Sequence, residues 1–347
     1  MKILVLISFI LMFFLKTGNV LSEKSIFNVN NIEIDTENYK NNEEFLNKAF
    51  IKGFDELTKR ILLKKDYNGL KKTSLIDIKE LISHYQIVNS EKDLQKKTTV
   101  NLFFDRKKIN NFFFIKDLTY SDLTNVQVVV LPILINDNKI YIYNNNFLYE
   151  KWNSELINTE QSDIIEYLLP VENLDTIQKI NLKQNNLEDI KISEILSGYD
   201  NDNLFFLIVS TKEKEVKIFL KSEISGKKVV KNFNFRFEDK DSLFNNILKV
   251  TKNEIEDIIK TQNIIDVRTP TFLNINLRII NRNDLFKLQN IFDEIDIVDN
   301  YYVREFNNDY AKIKIKFYGK LDNFYNKLKK MGAEIKITDN SWSVSLI

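Results

Sequence analysis

Val128-Val129-Val130-Leu131-Pro132-Ile133-Leu134 is the stretch that decides the fold of this chain. Val128 to Leu131 are consecutive apolar residues with no polar alternation, which marks a central strand covered on both faces. Pro132 has no amide hydrogen to give to a ladder and is expected to end that strand. Asn136-Asp137-Asn138 then reads as a hairpin turn, returning through Ile140–Tyr143. Helices are expected at about Leu148–Leu156 and Leu187–Leu196, and Leu204–Val209 is a second buried strand. Val216–Ser222 and Lys228–Phe237 form a hairpin that turns at Ser225-Gly226. The segment Ser242–Ile259 places Leu243, Ile247, Val250, Ile255 and Ile258 on one helical face. Together these elements make a middle α/β domain over about 121–262.

Upstream, residues 26–36 read as a strand, and Asn41 or Asn42 caps a helix with Glu43 and Glu44 in its first turn. Leu46, Ala49, Phe50, Phe54, Leu57 and Ile61 continue that helix at three- and four-residue spacing. A short helix over Asp77–Ser83, strands at His84–Val88 and Thr98–Phe104, and a helix started by Asp105 complete a first domain of about 23–118. Downstream, Thr269-Pro270-Thr271 marks a boundary. Leu273, Ile275, Leu277 and Ile279 alternate, Leu285, Leu288 and Ile291 follow helical spacing, and 295–305 pairs with 310–318. A helix over Leu321–Met331 ends at Gly332, and Ile335–Ile337 with Trp342, Val344 and Leu346 closes the chain. The last domain, 270–347, is therefore a ferredoxin-like βαββαβ plait with an extra terminal hairpin. The fold class is α+β, three small α/β domains in series.

The amino terminus follows a different logic. Met1-Lys2, an apolar run from Ile3 to Leu15 and then Lys16 are too short for a membrane span, which needs about 20 apolar residues. They have the form of a secretory signal peptide, residues 1–22, cut after Ser22 with Val20 and Ser22 as the small residues. No cysteine follows the run to carry a lipid. Its removal takes Lys2 and Lys16 from 50 basic residues against 49 acidic ones, so the mature chain is one negative charge in excess. Such balance argues against a general nucleic-acid binder and gives no electrostatic reason for tight membrane association. The absence of cysteine removes disulfides, thiolate catalysis and thiolate metal sites together. Lys, Asn and Ile are abundant, and the run Asn144-Asn145-Asn146 reads as a product of that composition.

The segment from Val128 to Leu134, with Asp137, Asn145-Asn146-Phe147 and Trp152, resembles the bacterial family known as domain of unknown function 2066. Leu168-Leu169-Pro170 with Asp175, Leu196-Ser197-Gly198-Tyr199, the strand Leu204–Val209 and the upstream Val100–Asp105 are similar to its other blocks, so the resemblance spans most of the mature chain. Tyr141 and Tyr143 stand where relatives carry a second Trp. The middle domain also looks like the TolB amino-terminal module, the lipoproteins that activate peptidoglycan synthases, and a flagellar-ring protein. The resemblance implies export to the periplasm and protein binding, with no established activity.

Candidate chemistry is sparse. His84 is the only histidine, so a triad would have to use it, and histidine metal clusters are impossible. Asp200-Asn201-Asp202-Asn203 has the start of a calcium loop, but its fifth position is Leu204, and a turn is the expected reading. Glu43, Glu44, Asp163, Glu166, Glu172 and Asp175 could form a carboxylate pair for glycan hydrolysis, although nothing in their context points to burial. Between Lys96 and Phe114, the cations Lys96, Lys97, Arg106, Lys107 and Lys108 mix with Phe103, Phe104, Phe112, Phe113 and Phe114, whose spacing is expected to turn the aromatics to the core. The last domain is more specific. Ala311, Ile313, Ile315 and Phe317 take one face of a strand, leaving Lys312, Lys314 and Lys316 outward, with Asn274, Asn276 and Arg278 beside them and Phe272 the lone aromatic. An RNA-stacking platform is not formed there. Arg278, Lys312, Lys314 and Lys316 are the candidate partner-binding face.

The expectation is a non-enzymatic periplasmic adaptor of the cell envelope that binds another envelope protein. It needs no catalytic residue, metal or cofactor, binds no nucleic acid, and keeps no membrane span after signal cleavage. The alternatives are a carboxylate enzyme on a cell-wall glycan and a binder of an anionic small ligand.

Overall fold

The computed structural model describes residues 25–35, 42–88, 97–123, 125–153, 164–212, 215–236, 240–338 and 341–347. The expected signal peptide lies outside these residues, as do Asn41, Asp163 and Phe237.

The first unit runs β1 (Asn28–Asp35), α1 (Asn42–Ile61), α2 (Lys64–Leu70), α3 (Leu75–Leu81), β2 (Ile82–Val88), β3 (Lys97–Phe104) and α4 (Arg106–Ile115). Its three-stranded antiparallel sheet has the order β1-β3-β2. Helix α1 buries Ala49, Phe50, Phe54, Leu57 and Ile61 of the expected stripe, with Phe45 taking the buried place at its start and Leu46 half-buried. Gly53 lets α1 approach closely, since a methyl group there would run into Leu102 and Ile32. Asp105 caps α4 by accepting the Lys108 N–H at 2.9 Å. Helix α2 departs from the sequence expectation. It carries Asn68-Gly69, poor helix formers, and its cap residue Leu63 offers no side-chain acceptor. A distant residue supplies one: the Lys64 N–H donates to Asp257 Oδ1 at 3.0 Å.

A two-residue strand β4 (Tyr120–Ser121) leads to the middle unit: β5 (Val126–Asn136), β6 (Lys139–Tyr141), α5 (Phe147–Lys151), β7 (Ile165–Leu168), α6 (Leu174–Leu182), a 3-10 turn (Leu187–Asp189), α7 (Ile192–Ile195), β8 (Asn203–Lys212), β9 (Glu215–Ile224), β10 (Lys227–Arg236) and α8 (Lys240–Gln262). The sheet order is β10-β9-β8-β5-β6, with β7 also paired to β5. As expected, β5 is covered on both faces. Val128, Val130 and Leu134 enter one core with α5 and α8, while Val129, Leu131 and Ile133 enter another with α6 and α7.

Pro132 does not end the strand, which continues to Asn136. On one side β5 pairs continuously with β8 through Pro132. On the other, β7 stops at Val129 and β6 begins at Leu134, so a gap faces Pro132. The Pro132 carbonyl is taken by the Asn146 side chain rather than by a strand. N–H and C=O of an extended residue point the same way, so the missing donor falls in that gap and costs no ladder bond.

Leu187–Leu196 is not one helix. The chain is extended at Ile190, φ −60° and ψ 127°, and the freed carbonyls of Glu188 and Ile190 both accept from the Lys221 ammonium. The hairpin turn at Ser225-Gly226 is as expected, with φ 46° and 78°, the pair of positive values that a two-residue turn of matching twist requires.

The last unit begins with β11 (Ile264–Ile265), which pairs with β4. It continues through β12 (Thr271–Arg278), α9 (Asp284–Glu294), β13 (Val298–Phe306), β14 (Tyr310–Phe317), α10 (Leu321–Lys330), β15 (Ala333–Thr338) and β16 (Ser341–Leu346). Its five-stranded sheet has the order β13-β14-β12-β16-β15. The α+β class is what the structure shows, and the plait acquires its extra strand by insertion. β16 lies parallel to β12, in the place a plait gives its fourth strand, and displaces β15 to the edge.

The first and last units share one hydrophobic core. It runs from Phe27, Phe113 and Tyr120 through Ile265 to Leu288, Phe292, Phe317 and Phe324. Polar ties cross the same junction. Asp296 accepts from Ser25 Oγ at 2.8 Å and from the Ile26 N–H at 3.0 Å, and Arg106 donates to the Ile295 carbonyl at 2.9 Å.

Candidate functional site

Alternation along β14 buries Ala311, Ile313, Ile315 and Phe317, and turns Lys312, Lys314 and Lys316 to the open face of the last sheet. The neighbouring strands set what lies beside them. Across to β12, Lys312 stands opposite Asn276, Lys314 opposite Asn274 and Lys316 opposite Phe272, while Arg278 sits at the rim opposite Tyr310. Across to β13, the partners are Glu305, Tyr302 and Asn300.

The four candidate residues share one face, yet the face is not a field of free positive charge. Lys312 pairs with Glu305 at 2.7 Å and Lys316 with Asp299 at 2.8 Å. The carboxylates hold both ammoniums above the ordinary lysine range, and Lys312 holds Glu305 below the usual carboxylate range. Among the described residues no carboxylate pairs with Lys314 or Arg278. The Lys314 ammonium instead lies 4.6 Å from the centre of the Phe272 ring, a cation–π distance. Phe272 is 54% exposed and Tyr302 57% exposed, so two aromatics flank that cation in solvent. Asn300 Nδ2 donates to the Tyr302 hydroxyl at 2.9 Å and fixes its position.

Asp299, Tyr302 and Glu305 are not among the residues that the sequence pattern singles out. Plain alternation would place Tyr302 and Glu305 on opposite faces. The register shifts between Val298 and Asn300 and between Val303 and Glu305 bring both to the lysine face. A bulge leaves little trace in a sequence, although the acids and tyrosines of Asp299–Glu305 are visible there as a cluster. The same edge strand continues to Val303 and Phe306, 37% and 58% exposed.

The other candidates disperse. His84 lies in β2, exposed, with its ring stacked on Phe103 at 4.3 Å. Phe104 and Phe113 are buried, as the spacing requires, whereas Phe114 is 54% exposed. Asn201 Oδ1 accepts the Asn203 N–H at 2.7 Å, the turn expected ahead of β8. Asp175 pairs with Lys179, Glu166 accepts from Gln127, and Glu43 and Glu44 stand in the first turn of α1, so these acids do not converge. Two other carboxylates, Glu256 and Asp257, do share a cleft where the first and middle units meet. Burial raises the Asp257 carboxyl, but it accepts the Lys64 N–H, and Glu256 pairs with Lys260 at 2.6 Å. Among the described residues no group of three or more His, Asp or Glu side chains is gathered as metal ligands. No described helix is long and apolar enough to cross a membrane.

The chain matches no protein-family model. It matches no curated protein either. Solved structures similar to part of it include the following two. The lipoprotein GNA1162 from Neisseria meningitidis is 12% identical over 38% of this chain and 96% of its own, with a TM-score of 0.22. An uncharacterized protein is 11% identical over 40% of this chain and 93% of its own, with a TM-score of 0.19.

Proposed function

We propose that this protein is a non-enzymatic binding protein of the bacterial cell envelope, exported to the periplasm, that docks a partner protein on the open face of its last sheet. The observation that carries the reading is the pairing of Lys312 with Glu305 and of Lys316 with Asp299 around half-buried Lys314 and the exposed Phe272 and Tyr302. A surface built for nucleic acid keeps its cations free to replace counterions. Here the cations are matched by acids, and what stands out of the face is aromatic surface beside one cation, the composition on which protein interfaces anchor. The exposed edge of β13, with Val303 and Phe306, extends that surface and offers unpaired backbone groups to an added strand. The amino-terminal signal character supports the location.

The test is photo-crosslinking in living cells from positions 272 and 302, followed by mass spectrometry of the trapped species. A single exported protein recovered from both positions, and lost in a Phe272→Ala/Tyr302→Ala chain, is the expected result. Both side chains are exposed, so the double variant should unfold with the wild-type transition. Equal trapping from a control position on β10, such as Lys227, or trapping that survives the double variant, would overturn the assignment. Point variants are required, because deleting 271–347 would also remove half of the first unit's core.

A further inference from the structure

We propose that the cleft between the first and middle units is a binding site for a small phosphorylated anion, inorganic phosphate or a compact phosphomonoester. This site is separate from the docking face and stands or falls independently of it. The cleft has a volume of about 300 Å³ and lies between α2 and the carboxyl-terminal half of α8, with the end of α1 as its floor. Its walls are two facing helical stripes. Lys249, Asn253, Glu256 and Lys260 recur along α8 at four- and three-residue spacing, and Lys64 and Tyr67 of α2, with Lys71 just past its end, follow the same spacing. Where helices of two units meet, such stripes are ordinarily apolar. Here they are polar and rich in lysine.

The charge balance points to the ligand. With Lys59, five lysines line the cleft against two carboxylates, and of these lysines Lys249 and Lys260 already have partners. Both carboxylates line the cleft but are already engaged: Glu256 with Lys260 at 2.6 Å, and Asp257 with the Lys64 N–H at 3.0 Å. Lys260 itself is turned away, donating to the carbonyls of Lys59 and Leu62 at 2.7 and 2.8 Å. Among the described residues no carboxylate pairs with the ammoniums of Lys59, Lys64 or Lys71. Like charges gathered around a concave wall repel one another, and an anion between them removes that repulsion. Lysine is a compact charge with three rotatable donors, which suits the oxygens of a phosphate. The Asn68 and Asn253 amides add neutral donors, whereas the Tyr67 hydroxyl is already engaged with Asp55 at 2.9 Å. A volume of about 300 Å³ is at the lower end for ligand sites, which fits a phosphate or a small ester rather than a nucleotide.

The experiment is calorimetric titration of the full mature chain with inorganic phosphate and with glycerol 3-phosphate, at fixed ionic strength set by chloride. Saturable binding is expected. Lys64→Gln and Lys71→Gln should each weaken it about tenfold, as loss of one charge-assisted contact does. Lys64→Arg should retain binding, and Lys314→Gln on the distant sheet should leave it unchanged. Both glutamine variants change exposed side chains, and an unaltered circular dichroism spectrum shows that they fold. The proposal is overturned by heats that never saturate, by saturation that ignores both substitutions, or by binding to phosphatidylglycerol vesicles with none to either soluble phosphate.

Discussion

Replacing Asn146 tests why the fold-deciding strand tolerates a proline. Asn146 is fully buried, and its Nδ2 donates to the carbonyls of Pro132 at 2.9 Å, Ile142 at 2.8 Å and Tyr141 at 3.2 Å. Its Oδ1 accepts the Leu148 N–H at 3.1 Å, capping α5. In Asn146→Ala the lost cap costs about 1 kcal/mol. Leaving buried carbonyls without a donor costs about 1–3 kcal/mol more for each that stays dry. With Pro132 and Ile142 the buried pair, the expected loss is about 3–7 kcal/mol, a large share of the roughly 5–15 kcal/mol that holds a domain folded. Asn146→Asp separates the two roles. Aspartate caps as well as asparagine, but it turns a second oxygen on three carbonyl oxygens. At neutral pH its loss should equal or exceed that of the alanine variant. Its carboxyl, raised by this site, binds its proton more tightly folded than unfolded, so the variant's stability should fall as pH rises from about 4 to 7. Urea unfolding by tryptophan fluorescence reads this out. The chain has 2 tryptophans, and in a Trp342→Phe background only Trp152, fully buried in the middle core, reports. An aspartate variant as stable as the parent would refute the donor network. A loss of about 1 kcal/mol in the alanine variant, with none in the aspartate variant, would reduce Asn146 to a helix cap.

Gly53→Ala should destabilise by about 1 kcal/mol, although alanine favours helices by a similar amount, because the new methyl meets Leu102 and Ile32 in a closed core; a stabilised variant in thermal unfolding would show that these side chains yield. Lys252 is buried beside Tyr167 at 5.0 Å and Trp152 at 5.8 Å, and burial lowers its pKa to about 8. The folded state then binds fewer protons than the unfolded one between about pH 8 and 10.5, so parent stability should rise relative to Lys252→Met across that window, by roughly 1 kcal/mol per pH unit; parallel urea midpoints at pH 8 and 10 would contradict this. Lys260→Met removes the ammonium that caps α1 and pairs with Glu256, and should cost about 3–5 kcal/mol. Adding Glu256→Gln should recover part of that loss in the same unfolding assay, and strict additivity would deny the coupling.

Legibility in the sequence follows how locally each element is determined. Helix α1 and strand β14 carry their own periodicity, so residue spacing alone identifies their buried faces. Helix α6 lacks that clarity, because Leu174 and Leu182 are 74% and 85% exposed and blur the stripe made by Thr176 and Ile180. Helix α2 depends on Asp257, nearly two hundred positions away, and β16 enters the sheet at a place that alternation cannot specify. The Asn144-Asn145-Asn146 run, which reads as compositional noise, contains a fully buried side chain that bonds three carbonyls. At the docking face the lysines are legible and their acid partners are not, because bulges in β13 decide which acids reach them.

The shared core of the first and last units also sets the order of events in the life of the chain. Asp296 holds Ser25 and Ile26 across 271 and 270 positions, and Phe27 and Tyr120 lie in the same cluster as Phe292 and Phe317. Synthesis delivers the amino-terminal partners first, so they wait with their apolar faces uncovered until nearly the whole polypeptide has emerged. Closing so wide a loop is slow, and the waiting intermediate is open to aggregation and to holding chaperones. Under the proposed export, with the chain threaded unfolded across a membrane, such a delay would be an advantage: the architecture itself postpones completion until the far end has arrived.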